Sequence, residues 1–252
     1  MKLAFAGKGG VGKTSLCAWM GDHLSRRGLD VWLVDADTSL SLGAACGLPP
    51  EAVPAPLAAR EDIVRERIGS GIMSLTPFVD DLPEGLSVEL PRAPGQGRRR
   101  LLVMGGVDAG GGGCACAANA LLKAVLASMI SGRGEVVLVD LEAGVEHLGR
   151  GTVADVDGLV VVSEPSLRSL RTAAEAARMA RELGLARQAL VLNRCSAAPQ
   201  LPPLECLPPL AACLPPLEGL AARQLWDGSV LGLPERAAVD AACLAVEAAL
   251  FT

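Results

Sequence analysis

The chain alternates short apolar runs with longer segments of helical period. "KLAFA", "VWLVDA", "RLLVM", "VVLVDL", "GLVVVS" and "ALVL" are too short for helices and too continuously apolar for surface strands. Between them, Thr14–Arg27, Ala117–Ile130 and Ser166–Leu183 repeat apolar residues at three- and four-residue spacing, which predicts helices with one buried stripe. Buried strands alternating with helices predict a mostly parallel central sheet flanked by helices on both faces. The fold class is therefore α/β. No linker divides residues 1–252, so a single domain is expected. Ligands of such sheets gather beyond the carboxyl ends of the strands.

Leu48–Gly97 breaks this rhythm. It is rich in proline and charge, with helical turns expected near Arg60–Ile68. The tetrapeptide "LPPL" starts at Leu201, Leu207 and Leu214. It reads as a proline-stiffened connection rather than a repeat unit, and Leu210–Leu214 has room for a short edge strand.

Half of the 252 residues are hydrophobic, enough for a full core without covalent staples. A formal charge of −5 argues against nucleic-acid partners, which need a basic footprint. The one dense basic run, Arg98–Arg100, reads as a solvated loop. "MKLAFAGKGG" reads as a first strand, not a secretory leader. No apolar run reaches about 18 residues, and the C-terminal "AAVDAACLAVEAALFT" lacks the basic face of a membrane anchor. The expectation is a cytoplasmic protein with no membrane partner. Its eight cysteines are then buried small hydrophobes or ligands, not disulfides. The three Trp and three Phe read as core residues, and His23 as a packing or surface residue.

The chemistry begins at Gly7. Gly7-Lys8-Gly9-Gly10-Val11-Gly12-Lys13-Thr14 fits G-x-x-x-x-G-K-[ST], placed after an expected strand and before an expected helix. In such a loop the backbone N–H groups around Gly9, Gly10, Val11, Gly12 and Ser15 turn onto phosphate oxygens, helped by the helix N-terminus. Lys13 reaches the β- and γ-phosphates, and the Thr14 hydroxyl ligates Mg²⁺. Lys8 is a second lysine in a loop that needs only one. Near the loop's start it projects outward, where a partner chain could use it; the alternative is a solvated side chain. "VDADTSL" presents Asp35 and Asp37 on the same side of a strand end. Both could face Mg²⁺ or the attacking water, or cap the next segment. "VLVDLEAG" ends a strand at Asp140, and "VLNR" ends another at Asn193, whose amide matches the adenine edge in donor and acceptor or serves a turn.

These motifs resemble the MinD/ParA/nitrogenase-iron-protein class of P-loop ATPases. The resemblance implies that Lys8 acts across a homodimer and that Asp37 positions the hydrolytic water. It implies that Asp35 holds a Mg²⁺-bound water and that Asp140 is the Walker B carboxylate. It also implies that Gly144 lets a switch segment move and that Asn193 selects ATP. The tract after Asn193 departs from the class, which carries an apolar strand ending in Ile-Pro where this chain repeats "LPPL".

Cys114 and Cys116 sit one residue apart after a run of glycines and before a helix. Thiols at a helix start ionise readily. One chain offers two ligands where a borderline-soft ion prefers four, so two chains related by a two-fold axis complete an S₄ set. Buried packing is the plainer alternative. With "TPFVDDLPEGLSVE", "LLVMGGVDAGGGGCACAANALL" and "VDLEAGVEHLGRGTVADVDGLVVVSEPS", the chain is similar to the nickel-insertion ATPases of carbon monoxide dehydrogenase, the CooC family. Ala117 stands where that family carries proline. The resemblance implies an ATP-driven metallochaperone that delivers Ni²⁺ to carbon monoxide dehydrogenase; the residues themselves do not choose Ni²⁺ over Zn²⁺. His147 is an extra ligand, a switch II element or a hydrogen-bonded structural histidine. Two rival readings stay open: a positioning ATPase that carries no metal, and an iron–sulfur ATPase with a [4Fe–4S] cluster bridging the dimer.

Overall fold

The computed structural model describes residues 1–69, 77–105, 115–131, 135–142 and 156–251, with the backbone alone at 115, 116, 130 and 131. The strands are β1 Lys2–Ala6, β2 Val31–Ala36, β3 Val88–Glu89, β4 Arg99–Val103, β5 Val136–Leu141, β6 Gly158–Ser163, β7 Gln188–Leu192 and β8 Leu210–Cys213. They form one sheet in the order β3-β4-β2-β5-β1-β6-β7-β8. Only the short β3–β4 pair is antiparallel; the other pairs are parallel. The helices are α1 Lys13–Arg26, α2 Leu42–Ala45, α3 Glu61–Ile68, α4 Leu82–Leu86, α5 Ala115–Ser131, α6 Leu167–Glu182, α7 Glu218–Arg223 and α8 Arg236–Phe251. None of them is long and apolar enough to cross a membrane.

Strand alternation divides the core between the two faces of the sheet. Leu3, Phe5 and Leu33 point to the face covered by α1 and α8, where they meet Leu16, Met20, Val246 and Leu250. Ala4, Ala6, Trp32 and Val34 point to the opposite face, against Leu121 and Val125 of α5 and Ala173 and Ala177 of α6. Every residue of β2, β5 and β6 is buried, which is why these runs are apolar without a break. Ser166 caps α6 by accepting the Ser169 N–H, so that helix begins where the apolar stripe does.

In the basic run 98–100, Arg98 is exposed as expected, but Arg99 and Arg100 correct the expectation of a solvated loop. Arg99 and Arg100 begin β4 and are 4% and 9% exposed. The Arg100 guanidinium lies 3.8 Å from the Trp32 ring centroid and pairs with Glu84 at 2.6 Å and Glu135 at 3.1 Å. Arg99 lies 3.3 Å from Asp22 and donates to the Pro91 carbonyl. Burial is tolerated because each charge meets an opposite charge. The aromatic residues also divide. Phe5, Trp19 and Trp32 are core, whereas Trp226, Phe78 and Phe251 are exposed, Trp226 by 90%.

Helix α1 carries the phosphate-loop residues and is tied down along its length. Trp19 Nε1 donates to the Val230 carbonyl at 2.7 Å. His23, buried, lies 3.2 Å from Asp240 of α8, and Arg26 bridges Asp22 and Asp240. These contacts fix the middle and last turn of the helix against Val230 and α8.

Candidate functional site

The strands β1, β2, β5 and β7 end at one edge of the sheet, where Lys13, Thr14, Asp35, Asp37, Asp140 and Asn193 converge. Gly7 leaves β1 with φ +140°, and a Cβ on it would lie 2.1 Å from the Val162 carbonyl oxygen. Gly12 has φ +99° and precedes α1; its Cβ would meet Asn193 Nδ2 at 2.4 Å. Both positions exclude any side chain. Gly9 and Gly10 are exposed at the rim, Val11 packs into the core, and Gly12, Thr14 and Ser15 line a cleft with Lys13. Lys8 is half-buried beside the loop and is absent from the residues lining the cleft.

Asp35 and Asp140 face each other across neighbouring strands because β2 and β5 pair in that register. Thr14 Oγ1 donates to Asp140 Oδ2 at 2.6 Å. Asp140 Oδ1 is buried without a hydrogen-bond partner. Asp35 accepts the Leu42 N–H at 3.0 Å and the Asp37 N–H at 3.3 Å, so it ties down the segment leading into α2. Asp37 Oδ2 lies 3.7 Å from Lys13 Nζ, a pair buried on both sides. Asp37 Oδ1 accepts from both the N–H and the hydroxyl of Ser39 at 2.8 Å.

Three buried carboxylates therefore cluster where one ammonium group, paired with Asp37, supplies the positive charge. Burial, opposed by the Thr14 hydrogen bond and aided by the charge on Asp35, pushes the Asp140 carboxyl up to about 7. Burial likewise pushes Asp35 up to about 6 against two backbone hydrogen bonds. The deficit is of positive charge. A hydrated Mg²⁺ suits it: Thr14 offers a hydroxyl, Asp140 an unused buried oxygen, and the carboxylates take up the ion's charge. No group of three or more His, Cys, Asp or Glu side chains among the described residues forms a closed metal cage.

The cleft has a volume of about 660 Å³, the size of a nucleotide site. Its polar end is the glycine loop, Lys13 and Asp37. Its other end is Asn193, Arg194, Pro216, Leu217, Leu220 and Gln224. Asn193 Nδ2 donates to the Val11 carbonyl at 2.8 Å, and its Oδ1 accepts the Arg194 N–H at 2.9 Å. Asn193 is thus the brace between β7 and the phosphate loop. One amide hydrogen and one lone pair remain for a base. Ser39, Ser41, Arg194 and Gln224 join the lining unforeseen. Only the two serines carried a trace, in "DTSLSLG" directly after Asp37.

Cys114, Gly144 and His147 lie outside the described residues. Cys116 falls in the first turn of α5, its side chain outside the described set.

Comparison with known proteins agrees with this geometry. Residues 3–201 match the family model for the CobQ/CobB/MinD/ParA nucleotide binding domain. The chain is 41% identical over 192 residues to the carbon monoxide dehydrogenase accessory protein CooC of Rhodospirillum rubrum, covering 73% of this chain and 71% of that one. It is 38% identical over 200 residues to an uncharacterised ATP-binding protein of Methanocaldococcus jannaschii, covering 77% and 75%. Among solved structures, a ParA family ATPase from Chlorobium tepidum superposes with TM-score 0.67 at 20% identity, covering 99% and 97% of the two chains. MinD of Aquifex aeolicus superposes at 0.64 with 20% identity, covering 96% and 94%. The chain is thus an ATP- and Mg²⁺-binding P-loop ATPase, and it belongs to the CobQ/CobB/MinD/ParA family of nucleotide-binding domains.

Proposed function

We propose that this ATPase is a metal carrier that works as a homodimer and loads nickel into carbon monoxide dehydrogenase. The observation that carries the reading is Cys114-Ala-Cys116 at the opening of α5 in a chain 41% identical to the accessory protein CooC. Two such pairs, one from each chain, give a borderline-soft ion such as Ni²⁺ or Zn²⁺ its four thiolates.

The ATPase residues take the following roles. The glycine loop and Lys13 bind the phosphates, and the Asn193 amide has one donor and one acceptor left for the base. Bound Mg²⁺ neutralises charge on the phosphates and is held by Thr14, with Asp140 and Asp35 behind it. Asp37, oriented by Ser39, positions the water that attacks the γ-phosphate. Lys8, set outside its own cleft, reaches the nucleotide of the partner chain. ATP then favours the closed dimer, which aligns the cysteine pairs. Loss of the γ-phosphate relaxes the segment around Gly144 and His147, and the two states differ in metal affinity.

The test is activation of nickel-deficient carbon monoxide dehydrogenase by this chain with nickel and MgATP. Activation that needs ATP and is lost in the Cys114→Ser/Cys116→Ser protein supports the reading. Equal activation by nickel alone, or by the doubly substituted protein, overturns it.

A further inference from the structure

Six cysteines fall fully within the described residues, and all are free thiols. Two of them meet at the base end of the cleft. Cys213 closes β8, and Cys195 follows Asn193 and Arg194 out of β7. Arg194 is left-handed, with φ 56°. That turn brings Cys195 back beside β8: its N–H donates to the Leu214 carbonyl at 2.7 Å, while the Leu214 N–H donates to the Leu192 carbonyl at 2.8 Å. Cys195 thus sits against the backbone of the residue next to Cys213, and Cys213 packs on the cluster that contains Cys195.

Their exposures differ. Cys195 is buried with its thiol donating to the Ala197 carbonyl at 3.1 Å, whereas Cys213 is half-buried and open to a reagent. Cys17 and Cys46 also lie near each other, but both are fully enclosed and no reagent reaches them. Burial and the neighbouring thiol push Cys213 up. Cys213 therefore attacks a disulfide slowly at neutral pH.

We propose that Cys195 and Cys213 form a dithiol site that a small-molecule disulfide converts to an intrachain disulfide, and that this crosslink resets the base end of the nucleotide cleft. The Cys213 thiolate attacks one sulfur of the disulfide and releases one thiol, leaving a mixed disulfide on Cys213. The Cys195 thiolate then attacks the Cys213 sulfur and releases the second thiol. The chain loses two electrons and two protons, and the small disulfide becomes two thiols. The bond lies between Asn193, two residues before Cys195, and Pro216, three residues after Cys213; both line the cleft. A sulfur–sulfur distance of about 2.05 Å replaces a non-bonded contact and draws the two strand exits together. The wall at Pro216 and Leu217 then moves against Asn193.

The experiment treats the protein with oxidised glutathione, blocks free thiols with iodoacetamide, and digests with trypsin and Glu-C. These enzymes cut after Arg194, Glu205 and Glu218, so a 195–213 bond joins two separate peptides. The expected result is that linked pair in wild type and in Cys206→Ser, and its absence in Cys213→Ser and Cys195→Ser. ADP affinity, measured calorimetrically in the Cys114→Ser/Cys116→Ser background, should fall at least threefold on oxidation and recover with dithiothreitol. With Cys213→Ser added, affinity should not respond to oxidised glutathione. A bond from Cys206 in place of Cys213, glutathione left on Cys213 alone, or unchanged ADP affinity in the crosslinked protein overturns the proposal.

Discussion

Replacing Asp140 with asparagine should make the nucleotide-free protein more stable while destroying its activity. Asp140 is fully buried and one of its oxygens lacks a partner. Its carboxyl stands at about 7 instead of 3.8, a penalty on the charged form of roughly 4 kcal/mol at about 1.36 kcal/mol per unit. Asparagine removes that penalty and keeps an acceptor for the Thr14 hydroxyl. Its amide group then faces the position where Oδ1 had no partner, at a cost of about 1–3 kcal/mol. The net gain at pH 8 is about 2 kcal/mol, or roughly 5 °C in Tm for a chain of this length. The pH dependence fixes the cause. Folded wild type holds the Asp140 proton more tightly than the unfolded chain does. Its stability from this group is therefore full below about pH 4 and falls as pH rises towards about 7. The asparagine protein loses that contribution and keeps only the smaller slope of the same sign from Asp35. Scanning calorimetry of both proteins at pH 5, 6, 7 and 8 in EDTA, without nucleotide, should show the gap widening with pH. A gap that is negative at pH 8, or the same at every pH, would refute the reasoning. With MgATP the order should reverse, since only the aspartate ties ion binding to folding.

Four further outcomes follow from the same geometry. Lys13→Ala should abolish nucleotide binding in calorimetry, because the phosphates lose the buried ammonium group. Lys8→Ala should keep nucleotide binding but lose ATP-dependent dimerisation by light scattering and at least tenfold in turnover. Asp37→Ala should bind MgATP yet hydrolyse it at least a hundredfold more slowly, with a longer-lived ATP dimer in size-exclusion chromatography. Gly12→Ala should weaken ADP binding at least tenfold, because its Cβ would strike Asn193 at 2.4 Å in a left-handed backbone; ADP titration monitored by the fluorescence of exposed Trp226 reads this.

The phosphate loop was legible because its chemistry needs fixed residue types at fixed spacing, and the apolar runs at the sheet's centre because burial on both faces leaves no polar positions. Ser166–Leu183 was found to within a residue at each end because its cap and its stripe agree. The missed features depend on contacts between distant segments. Arg100 reads as solvent-facing until Trp32, Glu84 and Glu135 are placed around it. Trp226 reads as core by residue type, yet it follows α7 and is exposed. Gly12 is a phosphate-loop glycine in sequence; that it also makes room for Asn193, 181 positions later, appears only in three dimensions. The two-residue β3 carries too little pattern to register. Arg194 reaches the cleft directly after Asn193 of "VLNR", and Gln224 from a turn with no motif of its own.

The most direct test of the carrier reading is metal stoichiometry. Equilibrium dialysis of the reduced protein against Ni²⁺ and Zn²⁺, with and without MgATP, should give one ion per two chains. Binding should weaken as pH falls, since the thiols must lose protons. Cys114→Ser or Cys116→Ser should each remove most of the affinity while ADP binding stays intact. ATP should change metal affinity, and metal should change dimer affinity by the same factor. One ion per chain, indifferent to both substitutions and to ATP, would contradict a metal site shared between two chains.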